Sequence, residues 1–385
     1  MTARGIYLDW NATAPLRPTA LAAMTSALQE VGNASSVHAF GRRARAWIDQ
    51  ARDEVAALVG GRSALLTFTS GGTEANNLAL NSRGTRPLVI SAIEHESVLK
   101  PARLAGAQVA RVGRSGEIDV AHLGYLIDKA SESAGRPAFI SVMLANNETG
   151  VIQPVAEIAH MAKAKGALVH CDATQAVGRV PVDINALGVD YLTISAHKLG
   201  GPQGAGALVL AGDLPVEPLV MGGGQERNRR GGTENVAAIA GFGAAAKEAA
   251  QLGDVGRIAA MRDALEDRLT QFGLPMTIFG RAAKRLPNTT CFASGTKTAE
   301  TLVMALDLSG IAISAGSACS SGKVRPSHVI SAMGFDAATA GSAIRVSWGW
   351  QNEASDIDTF VAAWGRVQRA GLAQRDDAET RISAA

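Results

Sequence analysis

The sequence predicts an α/β fold in which a mostly parallel seven-stranded sheet is joined by a smaller α+β domain. Three observations support this prediction. Short apolar and β-branched runs alternate with helical segments between about residues 65 and 210, the pattern of a doubly wound sheet. The 385 residues exceed what one hydrophobic core usually organises. Small polar residues follow several predicted strands, where such sheets bind their ligands.

The strands of the large sheet are predicted over 65–69, 87–91, 107–112, 138–144, 167–171, 191–194 and 207–210. The spacing of apolar residues predicts helices over 18–31, 44–58, 155–165, 235–251 and 258–271. Strand-like runs at 289–292, 310–314 and 343–347 indicate a separate α+β unit. We therefore predict a large domain over residues 16–255 and a small domain formed by residues 1–15 and 256–385.

The overall charge and the cysteine spacing exclude several classes of protein. A formal net charge of +2 argues against nucleic acid or an anionic membrane as partner. The first residues lack the apolar core of a signal peptide and no apolar run approaches 18 residues, so we expect a cytoplasmic protein. Cysteines at 171, 291 and 319 form neither a disulfide framework nor a zinc site, so we expect no metal.

One lysine stands at a corner of the predicted sheet. The run at 191–194 leads into Ser195-Ala196-His197-Lys198, and Gly200-Gly201-Pro202 then breaks any regular structure. A lysine held at such a corner can form a Schiff base with an aldehyde cofactor, provided that partial desolvation lowers its pKa. The alternative is an ordinary surface lysine in a loop.

Two other strand ends carry candidate ligand-binding groups. The run at 65–69 leads into Ser70-Gly71-Gly72-Thr73-Glu74 at the start of a helix, where backbone N–H groups and the Thr73 hydroxyl can bind phosphate or simply cap the helix. The run at 87–91 leads into Glu94-His95-Glu96. His95 suits a general acid or base, or a flat surface that stacks on a ring; the alternative is a solvated helix start.

A carboxylate and an amide cluster complete the set. Asp172 follows the run at 167–171, where it can keep a pyridine nitrogen protonated and so make the ring an electron sink, or else cap the next helix. Asn146-Asn147-Glu148 follows the run at 138–144, where a plain turn is the alternative. Phosphate donors, a stacking ring, amides, a carboxylate and a lysine at one sheet edge together predict a pyridoxal 5′-phosphate site.

These motifs stand in the order seen in class-V aminotransferases, which have the fold type I of pyridoxal-phosphate-dependent transferases. The segment Ser314-Ala315-Gly316-Ser317-Ala318-Cys319-Ser320-Ser321 further resembles the catalytic cysteine loop of group I cysteine desulfurases, the NifS/IscS type. The resemblance covers roughly residues 5 to 365.

The resemblance implies a role for each candidate residue. Lys198 would carry the cofactor, His95 would stack on its ring, and Asp172 would pair with its pyridine nitrogen. The remaining cofactor contacts would be Asn147 and Gln175 to the ring hydroxyl, and Gly72, Thr73, Ser195 and His197 to the phosphate, with Thr233 contributed by the second subunit of a homodimer. Arg345, helped by Asn33, would hold the substrate carboxylate because its fork of N–H donors matches that group.

The three cysteines differ in their surroundings. Cys171 ends an apolar run and Cys291 lies between Thr290 and Phe292, so both are expected to be buried thiols. Cys319 lies among glycine, serine and alanine, as an accessible nucleophile requires.

The resemblance implies a cysteine desulfurase, a sulfurtransferase that converts L-cysteine to L-alanine and places the sulfur on Cys319 as a persulfide. An acceptor protein, either a scaffold or a sulfur carrier, would receive it for iron–sulfur cluster or other sulfur-containing cofactor assembly. The alternatives are a selenocysteine lyase or an aminotransferase of the same fold, and a cofactor-binding scaffold without turnover.

Overall fold

A computed structural model of the chain describes residues 5–273, 275–295, 297–316 and 326–383. Its strands are β1 (Ile6–Tyr7), β2 (Leu66–Thr69), β3 (Leu88–Ser91), β4 (Gln108–Ala110), β5 (Phe139–Ser141), β6 (Leu168–Asp172), β7 (Tyr191–Ser195), β8 (Gly206–Leu210), β9 (Thr277–Ile278), β10 (Thr289–Ala293), β11 (Ile311–Ala312), β12 (Ser314–Ala315) and β13 (Ile344–Ser347). Its helices are α1 (Pro18–Leu28), α2 (Ala39–Leu58), α3 (Gly72–Asn81), α4 (Glu96–Leu104), α5 (Val120–Ala134), α6 (Val155–Ala164), α7 (Ile184–Leu187), α8 (Val236–Ala249), α9 (Val255–Thr270), α10 (Ala299–Asp307), α11 (His328–Ala332), α12 (Ala337–Gly341) and α13 (Ser355–Ser383). Among these helices none has the length and apolarity needed to cross a membrane.

The large sheet has seven strands in the order β2-β8-β7-β6-β5-β3-β4. Strands β3 to β7 run parallel, whereas β8 lies antiparallel between β2 and β7. This confirms the predicted α/β fold with a mostly parallel seven-stranded sheet. Two strands are shorter than predicted: β4 covers three residues of the run at 107–112, and β5 covers three of the run at 138–144.

The apolar runs form strands because both faces of the sheet are buried. Alternate side chains of a strand point to opposite faces, and here they enter different hydrophobic clusters. Leu88 and Ile90 of β3 pack in one cluster, while Val89 packs in the other. Strand β8 divides in the same way, with Leu208 on one face and Val209 on the other. Helices on both sides therefore exclude water from the sheet.

Another hydrophobic cluster, separate from the two at the large sheet, is formed mainly by the last third of the chain. There β12, β13, β10 and β9 form an antiparallel sheet, and the N-terminal β1 pairs in parallel with β11. Leu8 from the N-terminal arm packs in this cluster with Leu265, Trp348 and Trp364. The arm thus joins the C-terminal part of the chain, although the boundaries at residues 16 and 256 stay predictions.

Candidate active site

A cavity of about 720 Å³ opens at the carboxyl ends of the parallel strands. Its walls come from the segments that follow β2, β3, β5, β6 and β7, together with the N-terminal arm and Arg345 of β13. The predicted site residues that line it are Gly72, Thr73, His95, Asn147, Asp172, Gln175, Ser195, His197, Lys198 and Arg345. Residues that are far apart in the sequence therefore meet at one edge of the sheet.

Lys198 leaves the sheet at the end of β7, on a short 3₁₀ turn that runs from Ala196 to Lys198. Its Nζ donates hydrogen bonds to the backbone carbonyls of Asn11 at 2.6 Å and Ala12 at 2.7 Å. Burial lowers the pKa of this amine to about 7, and the positive charges of Arg345 and Arg179 act in the same direction. A large fraction of the amine is consequently neutral, and nucleophilic, at neutral pH.

Two hydrogen-bond donors fix the orientation of the Asp172 carboxylate. Its Oδ2 accepts from Asn76 Nδ2 at 2.7 Å, and its Oδ1 accepts from the Thr174 backbone N–H at 2.9 Å. The residue is only 5% exposed. Asn76 and Thr174 also line the cavity, and each has a buried side-chain oxygen without a hydrogen-bond partner among the described residues. Such groups fit a polar ligand that would supply the missing partners.

The N-terminus of α3 forms the other end of the cavity. No side chain caps this helix at Gly71, so its first backbone N–H groups are available to an anion. A Cβ on Gly72 would lie 3.1 Å from Thr174 Oγ1, and a Cβ on Gly206 would lie 2.5 Å from the Gly71 carbonyl carbon. Glycine thus permits a close approach of backbone at this end. Thr73 is exposed there.

Two histidines of the site, His95 and His197, have fixed ring positions. His95 caps α4: its Nδ1 accepts from the Ser97 backbone N–H at 3.2 Å and lies 2.8 Å from Ser97 Oγ. The surrounding protein limits the hydration of its ring and lowers its pKa, although Asp172 opposes this shift. His197 Nδ1 lies 3.2 Å from Thr13 Oγ1, and burial lowers its pKa to about 4. Both rings are therefore neutral at neutral pH.

Arg345 extends from β13 into the cavity with two of its nitrogens already engaged. Its Nη1 donates to the Asn147 carbonyl at 2.9 Å, and its Nη2 pairs with Asp9 Oδ1 at 2.7 Å. Its Nε is buried without a partner among the described residues. Ser314 Oγ donates to the other Asp9 oxygen at 2.8 Å, which fixes that carboxylate. Arg345 is thus a fixed cation with N–H groups left on Nη1, Nη2 and Nε for a ligand.

Several residues of the site were missed by the sequence reasoning. They are Asp9, Asn11, Asn76, Glu148, Thr174 and His328. Asn76 could have been predicted from the sequence, because the i, i+3 spacing places it on the same face of α3 as Thr73. Glu148 lies in a turn after β5, which was the alternative for this segment, and it is buried and accepts from Ser327 Oγ at 2.5 Å. Burial raises its pKa to about 7.

Two predicted site residues lie elsewhere. Asn33 and Thr233 are exposed and do not line the cavity of this chain, so their roles stay predictions. Cys319 lies outside the described residues. Cys171 is fully buried, as is Cys291, and burial raises the pKa of both thiols. The prediction that these two are inert core thiols is confirmed.

Comparison with known proteins agrees with this geometry. The family Aminotransferase class-V matches residues 6–360. A cysteine desulfurase of Cereibacter sphaeroides is 42% identical over 369 residues, covering 92% of this chain and 94% of that protein. The cysteine desulfurase IscS of Dictyoglomus turgidum is 38% identical over 379 residues, covering 94% of each. Among solved structures, a NifS-like protein from Rickettsia africae superposes with a TM-score of 0.87 at 34% identity, covering 95% of this chain and 99% of that one.

The chain therefore belongs to the class-V aminotransferase family, and its relatives within that family are cysteine desulfurases. This confirms the resemblance drawn from the sequence, and with it pyridoxal 5′-phosphate as the cofactor. The cavity fits this group chemically. It offers a desolvated lysine for the aldehyde, a buried carboxylate for the pyridine nitrogen, and an uncapped helix N-terminus for the phosphate.

Proposed function

We propose that this protein is a cysteine desulfurase that converts L-cysteine to L-alanine and retains the sulfur on Cys319. The observation that carries the proposal is the meeting of Lys198, Asp172 and Arg345 in one cavity, in a chain about 40% identical to cysteine desulfurases over most of its length. The reaction balances without a further reactant. The substrate C–S bond breaks and an S–S bond forms to the enzyme thiol. Of the two thiol hydrogens, one goes to the methyl group of alanine and the other stays on the persulfide.

The cavity residues divide this chemistry among themselves. When bound, pyridoxal 5′-phosphate supplies an aldehyde for Lys198 and an electron-withdrawing ring that makes the substrate Cα–H acidic. Asp172 would keep the ring nitrogen protonated. Lys198 would hold the aldehyde and would accept the Cα proton, and its lowered pKa suits both roles. His95 would lie against a face of the ring, and because its Nδ1 accepts from the Ser97 N–H, its neutral ring carries a proton on Nε2 that it can donate.

Arg345 is proposed to receive the substrate carboxylate. Its buried Nε–H has no other partner among the described residues, and burial strengthens a charge-assisted hydrogen bond. Cys319 is proposed as the sulfur nucleophile because the other two cysteines are buried in the core. The sequence around it favours an accessible loop.

The assembly and the pathway are proposed on separate grounds. A homodimer is supported by exposed apolar side chains near Thr233, namely Leu219, Val220 and Met221, since a second subunit would cover them. Thr233 would then reach the phosphate of the neighbouring site. A sulfur-acceptor protein in the cytoplasm, serving iron–sulfur cluster or other cofactor assembly, remains a proposal drawn from the family.

The direct test supplies L-cysteine to the purified, cofactor-loaded protein and measures alanine and sulfide in the presence of a thiol reductant. We expect the two products in equal amounts and a change in the visible absorbance on adding cysteine. Formation of an oxo acid from an amino donor, without sulfide, would instead identify an aminotransferase. Activity confined to selenocysteine would identify the lyase.

The substrate role of Arg345 predicts a selective effect on affinity. Arg345→Lys should raise KM for L-cysteine about tenfold to a hundredfold, because a charged hydrogen bond to the carboxylate is lost, while bound cofactor is retained. Arg285→Lys is a matched control: this arginine is also buried, but it pairs with Glu266 away from the cavity. Equal KM values for the two variants would contradict the role.

The lowered pKa of Lys198 predicts the pH dependence of cofactor loading. As the pH rises through about 7 the amine loses its proton, so the initial rate at which apoenzyme binds pyridoxal 5′-phosphate should rise and then level off. Stopped-flow absorbance measures this rate. In Arg345→Met one lowering charge is removed, and the profile should move to higher pH. A wild-type rate that keeps rising towards pH 10 would show an ordinary lysine.

A further inference from the structure

Arg179 is a buried arginine behind the cavity, and the described residues provide no carboxylate partner for it. It is 9% exposed and does not line the cavity. Its Nη1 donates to both the backbone and side-chain oxygens of Gln175, the first at 2.7 Å. Its Nη2 donates to the Trp10 carbonyl at 3.2 Å and reaches the Lys198 carbonyl at 3.5 Å. Burying a charge without a counter-charge costs free energy, so a functional role would explain why this arginine is present.

These contacts determine which way the Gln175 amide points. A guanidinium can only donate, so the atom facing Arg179 must be the Gln175 oxygen. On the other side, Gln175 Nε2 donates to the Asn11 carbonyl at 3.0 Å, and a carbonyl can only accept. Both neighbours thus require the same orientation. The amide keeps one further N–H, and Gln175 lines the cavity.

We propose that Arg179 is a positioning residue of the cofactor site, which fixes the Gln175 amide so that the cavity meets an N–H donor and which places a buried positive charge behind Lys198. The inference rests on the proposed function only in that the cavity holds pyridoxal 5′-phosphate. The group of the cofactor that faces Gln175 must then be an acceptor. Since the phosphate is assigned to the N-terminus of α3, the ionised ring oxygen is the acceptor left for Gln175.

The charge of Arg179 acts together with others on the same amine. The charged side chains facing Lys198 are Arg345 and Arg179, which lower its pKa, and Asp9 and Asp172, which raise it. His95 and His197 are the neighbouring titratable groups, and burial lowers the pKa of both rings, so both are neutral at neutral pH. Removing Arg179 therefore leaves the two carboxylates opposed by one cation instead of two.

The test compares Arg179→Met with wild type in the cofactor-loaded state. The pH at which the visible absorbance changes should rise by about one unit, because a nearby positive charge and a donor to the ring oxygen are both lost. The dissociation constant of the cofactor should rise about tenfold, the loss expected for one hydrogen bond to a charged oxygen. KM for L-cysteine should change little, since Arg179 does not touch the cavity.

Arg86→Met is the matched control, because Arg86 also donates to two backbone carbonyls but lies before β3, at the opposite end of the sheet. Arg179→Lys keeps the charge without the forked contact, so the pH of its absorbance change should lie closer to wild type than its cofactor affinity does. This variant also replaces Arg179→Met in the test if Arg179→Met does not fold. The affinity loss of Arg179→Met should vanish in a Gln175→Ala background.

Three results would overturn the proposal. One is a titration and a cofactor affinity in Arg179→Met equal to those of Arg86→Met. Another is an undiminished effect in the Gln175→Ala background, since Arg179 would then not act through that amide. The third is unchanged cofactor affinity in Gln175→Glu, which offers no N–H to the cavity. Because none of these readouts uses desulfuration, failure of the proposed reaction is distinguished separately by the alanine and sulfide assay.

Discussion

Replacing Cys319 by alanine is expected to abolish persulfide formation while the cofactor stays bound. The other cysteines cannot substitute for it, because Cys171 and Cys291 are buried and their thiols have raised pKa values. Alanine production from L-cysteine should fall roughly 10³-fold or more, the scale on which loss of a catalytic nucleophile acts. Persulfide is measured by mass spectrometry of the protein after one turnover, and cofactor content by absorbance.

Cys171→Ala and Cys291→Ala are the controls for this experiment. Each removes a core thiol and leaves a small cavity, so each should lower the melting temperature and leave the persulfide yield intact. Retention of activity in Cys319→Ala would refute the nucleophile and favour an aminotransferase, which needs no cysteine. Loss of visible absorbance in that variant would mean that the segment supports the cofactor site instead.

Replacing Lys198 by alanine is expected to have an effect of at least the same order, for a different reason. The variant loses the amine that binds the aldehyde and accepts the Cα proton, and lost proton transfer alone costs roughly 10²–10⁴-fold. Borohydride reduction followed by mass spectrometry should attach one cofactor to wild type and none to Lys198→Ala. Non-covalent cofactor should remain, because the carboxylate of Asp172 and the N-terminus of α3 are intact.

Lys163→Ala is a suitable comparison for that labelling. This lysine pairs with Asp190 on the outer side of α6, remote from the cavity, and its removal should leave labelling unchanged. Covalent cofactor on Lys198→Ala, at any other lysine, would move the attachment point and contradict the site described above.

The strands of the large sheet could be predicted because each is a short apolar run between polar corners, and a buried strand is the main way for so short a run to remove its side chains from water. The residues at which these strands end could not be predicted. Val142 and Leu144 continue to hydrogen-bond with His170 and Asp172 after β5 ends, so the boundary depends on the neighbouring strand rather than on local sequence. The start of α3 at Gly72 likewise depends on packing against β8.

The residues of the site likewise include some that could be predicted from the sequence and some that could not. Lys198, Asp172 and His95 could be predicted because each lies at the end of a strand or within four residues of it, and parallel strands place their carboxyl ends at one edge. Asp9 and Asn11 could not, since nothing near them in sequence indicates that the N-terminal arm reaches the cavity. Their positions result from β1 pairing with β11 and from the shared core that contains Leu8.

That arm has a consequence for the order in which the enzyme is made. Asp9 pairs with Arg345 across 336 residues of sequence, and Asn11, whose carbonyl holds Lys198, donates to Thr289 across 278. Contacts of such high sequence separation form slowly. During synthesis Asp9 and Asn11 must therefore wait for β10 and β13, which emerge later. The large sheet can assemble on the ribosome, but the amine that captures the cofactor acquires its two carbonyl partners only when the C-terminal strands are available.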